Sequence, residues 1–222
     1  MAVVLFGSIG TIADTSELQR EAFNDAFREH GLDWNWSRQD YRKLLRDSGG
    51  VARIAAYAQA RGDTVDAEAV HRTKSELLQA TLRAARPAPR PGVVDTIEEA
   101  RSNGYKLALV TTTSAENVAA LADAVRPEVD LEAFDLVLDT TTVERPKPDF
   151  GVYRLALERL GEAPDGCVAI EDNVAGVESA VSAGLTCVAF PGESNADHEF
   201  DGAAGRVAEL TFAELQTLVP AA

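Results

Sequence analysis

The second half of the chain alternates short apolar runs with amphipathic helical patterns, and this alternation restricts the fold more than any other feature. Short apolar runs are typical of strands that are buried on both faces. Strands that alternate with helices indicate a parallel sheet joined by right-handed crossovers. Val3–Phe6 supplies one further strand from the N-terminus. The other predicted strands are Tyr105–Val110, Leu136–Leu138, Cys167–Ile170 and Thr186–Phe190, and the predicted helices between them are Val93–Ser102, Ala115–Ala124, Val152–Leu160 and Val174–Ala183.

The segment between the first strand and this alternation carries helical patterns and no strand. It ends in a proline-rich stretch, residues 86–92, which cannot be the interior of a helix. The sequence therefore predicts an α/β fold: a Rossmann-like parallel-sheet core of residues 1–15 and 88–222, with residues 16–87 inserted as an all-helical cap domain. The predicted cap helices are Glu17–His30, Arg38–Asp47, Val51–Arg61 and Ala67–Ala84.

The charge of the chain limits its partners. With a formal net charge of −15, the protein is a poor candidate for binding nucleic acid or an anionic membrane. The simplest interpretation of this acidity is a solvated surface. A phosphorylated ligand would therefore need local help from a cation, a lysine or backbone N–H groups.

The apolar segments predict a cytoplasmic protein. No window approaches 18 apolar residues, and the N-terminus lacks a secretory signal pattern. Cys167 and Cys187 lie inside predicted strands, which favours buried free thiols in a reducing compartment over a disulfide.

Polar residues cluster where the predicted strands end. Ligands of an open parallel sheet bind at the carboxyl ends of the strands, where neighbouring loops converge. Four groups stand in this position along the chain: Gly7–Thr11, Thr111–Ser114, Lys147–Asp149 and Glu171–Asn173.

Each group also has a simpler interpretation. The glycines of the first group suit a strand-to-helix turn, and an isolated lysine is usually a solvated charge. Ser114 or Thr113 is a suitable N-cap for the helix at Ala115, as Asp172 or Asn173 is for the helix at Val174.

Taken in order, the four groups resemble the motifs of the haloacid dehalogenase-like superfamily. Its first motif reads apolar-apolar-Asp-x-Asp-Gly-Thr-Leu-x-Asp, and Gly10, Thr11, Ile12 and Asp14 fit that pattern. The resemblance covers essentially the whole chain, because the inserted helical segment also occupies the place of the family's cap. The nucleophilic Asp of the family falls at Gly7 and its acid/base Asp falls at Ile9, so both carboxylates are missing.

The resemblance implies roles for the remaining groups. The hydroxyl of Thr111 and the amide of Thr112 would bind a phosphoryl group, and the Lys147 ammonium would neutralise it. Mg²⁺ would be held by Glu171, Asp172 and the backbone carbonyl of position 9. Because the first carboxylate is absent, we expect Mg²⁺ to bind weakly or not at all.

Within the superfamily the sequence is most similar to the CbbY-like, β-phosphoglucomutase-like subgroup. The cap residues that the resemblance places near substrate are Thr15, Glu17, Gln19 and Arg53. Two residues depart from the pattern: Gln19 stands where phosphosugar members often carry His, and Val51 where a basic residue is common. Trp34 and Trp36 are expected to pack inside the cap. The residues that carry the subgroup resemblance are Glu17, Ala22–Asn24, Gly31–Trp34, Gly49–Gly50, Arg53–Ile54 and Arg90–Gly92.

Three functional hypotheses follow. The favoured one is a pseudo-phosphatase that binds a phosphorylated small molecule, because loss of the nucleophile and of the acid/base closes the aspartyl-phosphate route. The second is a sugar-phosphate phosphatase or phosphomutase that uses water on a Glu171/Asp172 metal site. Ser8 is a poor substitute nucleophile, because strand alternation directs it away from positions 7 and 9. The third is a protein–protein contact, which an exposed apolar patch near Ile9 would favour.

Overall fold

The sheet is parallel throughout, as the alternation predicts. The computed structural model describes residues 3–45 and 49–218. Six strands pair in the order β3-β2-β1-β4-β5-β6. Their bounds are β1 Val3–Phe6, β2 Lys106–Val110, β3 Leu136–Leu138, β4 Cys167–Glu171, β5 Thr186–Ala189 and β6 Gly205–Arg206.

Helices cover both faces of the sheet. Side chains of α6, α7 and α10 pack on the face that carries Val4 and Phe6. Side chains of α8 and α9 pack on the face that carries Val3 and Leu5. The helices are α1 Ile9–Ile12, α2 Ser16–Glu29, α3 Arg38–Leu44, α4 Gly50–Arg61, α5 Ala67–Ala85, α6 Val93–Ser102, α7 Ala115–Val125, α8 Gly151–Leu160, α9 Val174–Ser182 and α10 Phe212–Leu218. None of these described helices is both long and apolar enough to cross a bilayer.

The predicted strands and helices are confirmed to within one or two residues at most ends. Three described elements were not predicted: α1, β6 and α10. The first two have four and two residues, too few for a hydrophobic period to show. Helix α3 ends at Leu44, and Asp47, where it was predicted to end, lies outside the described residues. Cys167 and Cys187 are buried free thiols, as predicted.

Six described helices lie between β1 and β2, and the middle four, α2–α5, follow one another with no described strand among them. Trp34 and Trp36 are buried in their core, where the Trp36 ring lies 4.9 Å from that of Phe23 and 4.7 Å from that of Phe27, which confirms their packing role. Leu78 and Leu82 of α5 instead pack against α7 of the sheet layer. The division into a core of residues 1–15 and 88–222 and a cap of residues 16–87 stays a prediction.

The order of the strands fixes where a site can form. The chain runs outward from β1 through β2 to β3, and then returns to the other side of β1 as β4. A crevice opens where the strand order reverses, outside the carboxyl ends of the strands. Here that point lies between β1 and β4, where Phe6 at the end of β1 pairs in register with Ile170.

The side chain of Arg90 links the proline-rich segment to α1 and to the loop that follows β5, at this edge of the sheet. Its guanidinium donates to the carbonyl oxygens of Gly10 (3.1 Å), Phe190 (2.6 Å) and Pro191 (2.7 Å). The same group lies 3.4 Å from the centroid of the Phe190 ring. Arg90 is 9% exposed, so these carbonyl groups would be poorly hydrated without it.

We expect Arg90→Ala to lower the free energy of unfolding by about 3 kcal/mol, because buried acceptors lose a charged donor. Urea denaturation followed by circular dichroism measures this change. The exposed Arg159 of α8 provides the matched control, and Arg159→Ala should stay within about 0.5 kcal/mol of the native chain. Equal stabilities of the two variants would contradict a structural role for Arg90.

Candidate ligand-binding site

A cavity of about 380 Å³ lies between the cap helices and the carboxyl ends of the strands. Its floor comes from the loops that follow β1, β2 and β4, and its roof comes from α2, α4 and α5. Polar side chains dominate the lining. The residues that the argument below uses are Ser8, Ile9, Asp14, Thr15, Gln19, Arg53, His71, Lys74, Thr111, Thr112, Thr113, Ser114, Asp172 and Asn173.

The structure brings most of the predicted site residues to this cavity, but not all of them. Those that line it are Ile9, Thr15, Gln19, Arg53, Thr111, Thr112 and Asp172. Glu17 instead lines a smaller neighbouring pocket, because Arg20 and Arg38 hold its carboxylate there. Gly7, Lys147 and Glu171 are not part of the cavity lining and lie beneath it.

Ser8 lines the cavity, and its direction away from positions 7 and 9 stays a prediction. Its hydroxyl donates to Asp172 Oδ1 at 2.8 Å, and both Ser8 and Ile9 line the cavity. Ser8 lies between the end of β1 at Phe6 and the start of α1 at Ile9, and it is the N-cap residue of α1 with extended backbone.

Beneath the cavity floor lies a buried cluster of charged and hydroxyl groups, which we call the Lys147 cluster: Lys147, Tyr153 and Glu171. Lys147 Nζ donates to Glu171 Oε1 at 2.6 Å and to the Val110 carbonyl at 2.7 Å, and it also donates to the Gly7 carbonyl. The Tyr153 hydroxyl donates to the same Glu171 oxygen at 2.7 Å. Glu171 is 0% exposed.

Burial dominates the electrostatics of this cluster. It raises the pKa of the Glu171 carboxyl, although the Lys147 ammonium acts in the opposite direction. It also raises the pKa of Tyr153 well above its usual value, and the adjacent Glu171 carboxylate adds to the effect. The phenol therefore remains a hydrogen-bond donor at neutral pH.

In this structure Glu171 is not arranged as the Mg²⁺ ligand that the resemblance implies. Glu171 Oε1 is bonded to Lys147 and Tyr153, while Oε2 has no hydrogen-bond partner and lies against Gly176. Asp172 is the carboxylate that reaches the cavity from this loop, and it accepts from Ser8 and Asn173. Within residues 3–45 and 49–218, no three acidic, histidine or cysteine residues converge as metal ligands.

The cap supplies the cationic wall of the cavity. Lys74 of α5 is only 3% exposed, donates to Gln19 Oε1 at 3.0 Å, and lies 4.7 Å from the centroid of the Phe23 ring. No carboxylate among the described residues forms an ion pair with Lys74. Arg53 of α4 lines the same wall and donates to the Leu44 carbonyl at 2.8 Å.

Burial of these basic groups makes them sensitive to an incoming anion. Burial lowers the pKa of Lys74 to about 7, and Arg53 adds to the effect. Burial also lowers the pKa of His71 to about 4, with further contributions from Lys74 and Arg53. An anion bound between Lys74 and Arg53 would relieve this unfavourable charge, so the cap wall is suited to an anionic group.

Sequence reasoning missed Lys74, His71 and Tyr153 as members of the site. Lys74 and His71 lie on an amphipathic helix, where the expected position of a charged residue is the solvated face. One weak signal exists for Lys74, since it is one of only four lysines in the chain. No sequence signal distinguishes Tyr153 from a core aromatic residue.

The opposite wall of the cavity offers hydroxyl groups. Thr111 is 3% exposed and accepts from the Thr113 amide at 3.1 Å. Ser114 caps α7 by accepting from the Asn117 amide, and Asn173 caps α9 by accepting from the Gly176 amide, so both N-cap predictions are confirmed. Both helices therefore begin at the cavity, where their N-terminal partial charges favour polar or anionic ligand atoms.

Comparison with known proteins agrees with this architecture. A family model described as haloacid dehalogenase-like hydrolase matches residues 1–184. The chain is 41% identical to the protein CbbY of Cereibacter sphaeroides over 215 residues, 96% of this chain and 93% of that protein. It is 30% identical to a phosphorylated carbohydrates phosphatase of Thermotoga maritima over 189 residues, 83% of this chain and 82% of that protein.

One solved relative carries a ligand of defined chemistry. A crystal structure of a CbbY mutant from Rhodobacter sphaeroides, in complex with xylulose-(1,5)bisphosphate, superposes with a TM-score of 0.86. The two sequences are 40% identical, and the match covers 96% of this chain and 95% of that one.

The lowered pKa of Lys74 predicts a specific effect of pH on stability. Between pH 7 and the usual lysine pKa near 10.5, the unfolded state binds more protons at this residue than the folded state does. The contribution of Lys74 to the free energy of unfolding therefore becomes more favourable as pH rises through this window. We expect the free energy of unfolding of the native chain minus that of Lys74→Met to increase from pH 7 to pH 9.5. Urea denaturation at each pH measures both values.

The exposed Lys43 supplies the control for this measurement. The stability difference between the native chain and Lys43→Met should not change with pH over the same range. A flat difference for Lys74 as well would show that its ammonium is not destabilised by burial.

Proposed function

The chain belongs to the haloacid dehalogenase-like hydrolase family and its CbbY-like subgroup, and on that premise we propose that it is a catalytically inactive member that binds a phosphorylated sugar. The observation that carries this proposal is the state of the nucleophile position. Gly7 has no side chain to attack phosphorus, and the space beside it is filled by Glu171 and Tyr153.

The acid/base position supports the same conclusion. Ile9 lines the cavity and is 5% exposed, so an apolar side chain stands where proton transfer to a leaving group would be required. Removing a general acid/base commonly costs ~10²–10⁴-fold in rate. Removing a covalent nucleophile costs on the order of 10⁶-fold in the subtilisin example. The family's covalent route therefore has neither of its two reacting groups.

The two walls of the cavity support a phosphorylated polyol as ligand. Lys74 and Arg53 provide charge for a phosphate on the cap side. Thr111, Thr113 and Asp172 provide hydroxyl and carboxylate partners for sugar hydroxyls on the sheet side. The mutant CbbY in the solved complex binds a sugar bisphosphate, and the 41% identical chain described here is proposed to recognise a ligand of that class.

This binding would not depend on Mg²⁺. The cations that face the cavity belong to the protein, and Glu171 is bonded to Lys147 instead of facing the cavity. The predicted phosphate role of Lys147 is replaced in this proposal by Lys74, because the Lys147 ammonium lies beneath the floor. Thr111 and Thr112 also line the cavity, and in this proposal Thr111 contacts a sugar hydroxyl in place of the predicted phosphoryl group.

A second candidate function rests on one contact. The Ser8 hydroxyl donates to Asp172 Oδ1 at 2.8 Å in the cavity wall, an arrangement in which a carboxylate could act as base for a serine nucleophile. This would make the protein a sugar-phosphate phosphatase or phosphomutase of non-standard route. A residual metal site on Glu171 and Asp172 is a weaker basis for activity, since Glu171 is held by Lys147 and Tyr153.

A role in protein–protein contact receives less support. An exposed apolar patch near Ile9 would favour that hypothesis, whereas Ile9 packs in the core cluster that contains Phe6. The large apolar side chains that are exposed among the described residues are Phe150 and Val181, which lie on other elements.

We expect no Mg²⁺-dependent phosphate release above background from a panel of sugar monophosphates and bisphosphates. Phosphate release is measured with the native chain in MgCl₂ and, separately, in EDTA. Turnover that disappears in Ser8→Ala and in Asp172→Asn would contradict the inactive-protein proposal and establish the serine route.

The same sugar phosphates should bind to the native chain in EDTA, as measured by isothermal titration calorimetry. Lys74→Gln should weaken binding by about tenfold or more, because a charged hydrogen bond to the ligand is lost. Lys43→Gln, on the exposed face of α3, is the matched control and should bind as the native chain does. Equal affinity of the Lys74 and Lys43 variants would place the anion elsewhere.

A further inference from the structure

Gly7 and Glu171 are neighbours by the register of the sheet. Phe6 of β1 pairs with Ile170 of β4, and the Gly7 amide donates to the Ile170 carbonyl at 2.8 Å. The next register position therefore places residue 7 beside residue 171. Side chains at paired positions of adjacent strands point to the same face of a sheet. A side chain at position 7 would accordingly share its space with Glu171.

That space is already full. A Cβ atom added to Gly7 would lie 2.1 Å from Glu171 Oε1 and 2.4 Å from the Tyr153 hydroxyl. Real Cβ atoms do not approach other heavy atoms this closely. Gly7 does not have a positive φ. Glycine at this position therefore leaves room for neighbouring side chains and is not needed for a left-handed backbone conformation. Gly176 makes room on the other side, where an added Cβ would lie 2.1 Å from Glu171 Oε2.

The N–H and O–H donors of the Lys147 cluster are also all in use. One ammonium faces one carboxylate, with Lys147 5% exposed and Glu171 fully buried. An ammonium has three N–H donors, and those of Lys147 serve Glu171 and the carbonyls of Gly7 and Val110. The Tyr153 hydroxyl likewise donates its hydrogen to Glu171 Oε1. A second carboxylate at position 7 would have no cation left to neutralise it.

We propose that Glu171, supported by Tyr153, has taken over both the space and the charge of a carboxylate at position 7, so that Lys147 is neutralised inside the protein and this end of the sheet holds its shape without a metal ion. The side chain of Glu171 then compensates for the missing carboxylate at position 7. This inference goes beyond the proposed function, because it concerns the internal charge balance and holds whether or not a ligand binds.

A consequence follows for any attempt to restore the family motif. Gly7→Asp alone adds a carboxylate to a filled space and a second negative charge beside one ammonium. The change requires that Glu171 turns away from position 7 or is shortened. An Asp at position 7 then replaces the lost countercharge of Lys147. Positions 7 and 171 should therefore be strongly coupled in stability.

The decisive comparison is between two double variants, Gly7→Asp/Glu171→Ala and Gly7→Asn/Glu171→Ala. The two differ in charge at position 7 and have nearly the same shape. An unpaired buried charge is strongly destabilising, so the Asp variant should melt roughly 6 to 20 °C above the Asn variant. Thermal unfolding by circular dichroism measures this difference. Equal melting temperatures, or a folded Asn variant without a folded Asp counterpart, would overturn the proposal.

Single variants test the two halves of the proposal if the double variants do not fold. Gly7→Ala should melt well below Gly205→Ala, because an added Cβ at Gly205 meets nothing within 4 Å. Glu171→Gln keeps the shape but removes the countercharge, and it should melt well below Glu178→Gln on the exposed face of α9. Parity within either pair would overturn the half that the pair tests.

A third test asks whether Mg²⁺ binds the native chain, and it does not depend on enzymatic activity. Addition of 5 mM MgCl₂ to the native chain in ligand-free buffer should leave its melting temperature unchanged, since a metal that binds the folded state would raise it. An increase of several degrees would overturn the claim that this end of the sheet is complete without a metal. Sugar-phosphate binding in EDTA is measured separately, so failure of either proposal leaves the other to be judged on its own result.

Discussion

The in-register pairing of β1 with β4 is the constraint on which the site depends. This pairing occurs where the strand order reverses, and it brings the residues after Phe6 and Ile170 side by side. Position 7 and position 171 therefore compete for one volume. With glycine at position 7, Glu171 can turn toward Lys147, and the remaining groups of the floor arrange themselves around that ion pair.

Burial separates the charged groups of this region into two sets with different roles. The Lys147 cluster pairs one ammonium with one carboxylate, is joined by hydrogen bonds through Glu171 Oε1, and is not part of the cavity lining. The cap wall differs from the Lys147 cluster, because its buried lysine is not paired with a carboxylate in the described part of the chain. Lys74 is buried without an ion-pair partner among the described residues, and its lowered pKa reflects that cost. The group that can still stabilise an anionic ligand electrostatically, Lys74, therefore lies on the cap side of the cavity.

The fold of this chain is that of the haloacid dehalogenase-like family, with a cavity at the carboxyl ends of the strands and N-capped helices α7 and α9 beside it. The resemblance puts Gly7 and Ile9 at the positions of the family's nucleophile and acid/base. A shared fold supplies a place for a ligand, whereas activity depends on individual side chains at that place. Membership of the hydrolase family is thus compatible with the proposed role in binding.

The sequence by itself determined the parallel sheet, the inserted helices, the N-caps of α7 and α9 to within one residue and the absence of carboxylates at positions 7 and 9, because these follow from local periodicity and residue identity. It also pointed to Thr111 and Asp172 at the strand ends. Only the tertiary structure decided where Glu171, Lys147 and Lys74 point. Their directions depend on contacts between residues far apart in the chain: Glu171 turns inward because Gly7 and Gly176 leave room, and Lys74 turns inward because α5 packs against both α2 and α7. A side chain's burial and partners are set by such long-range packing, which a local sequence pattern does not encode.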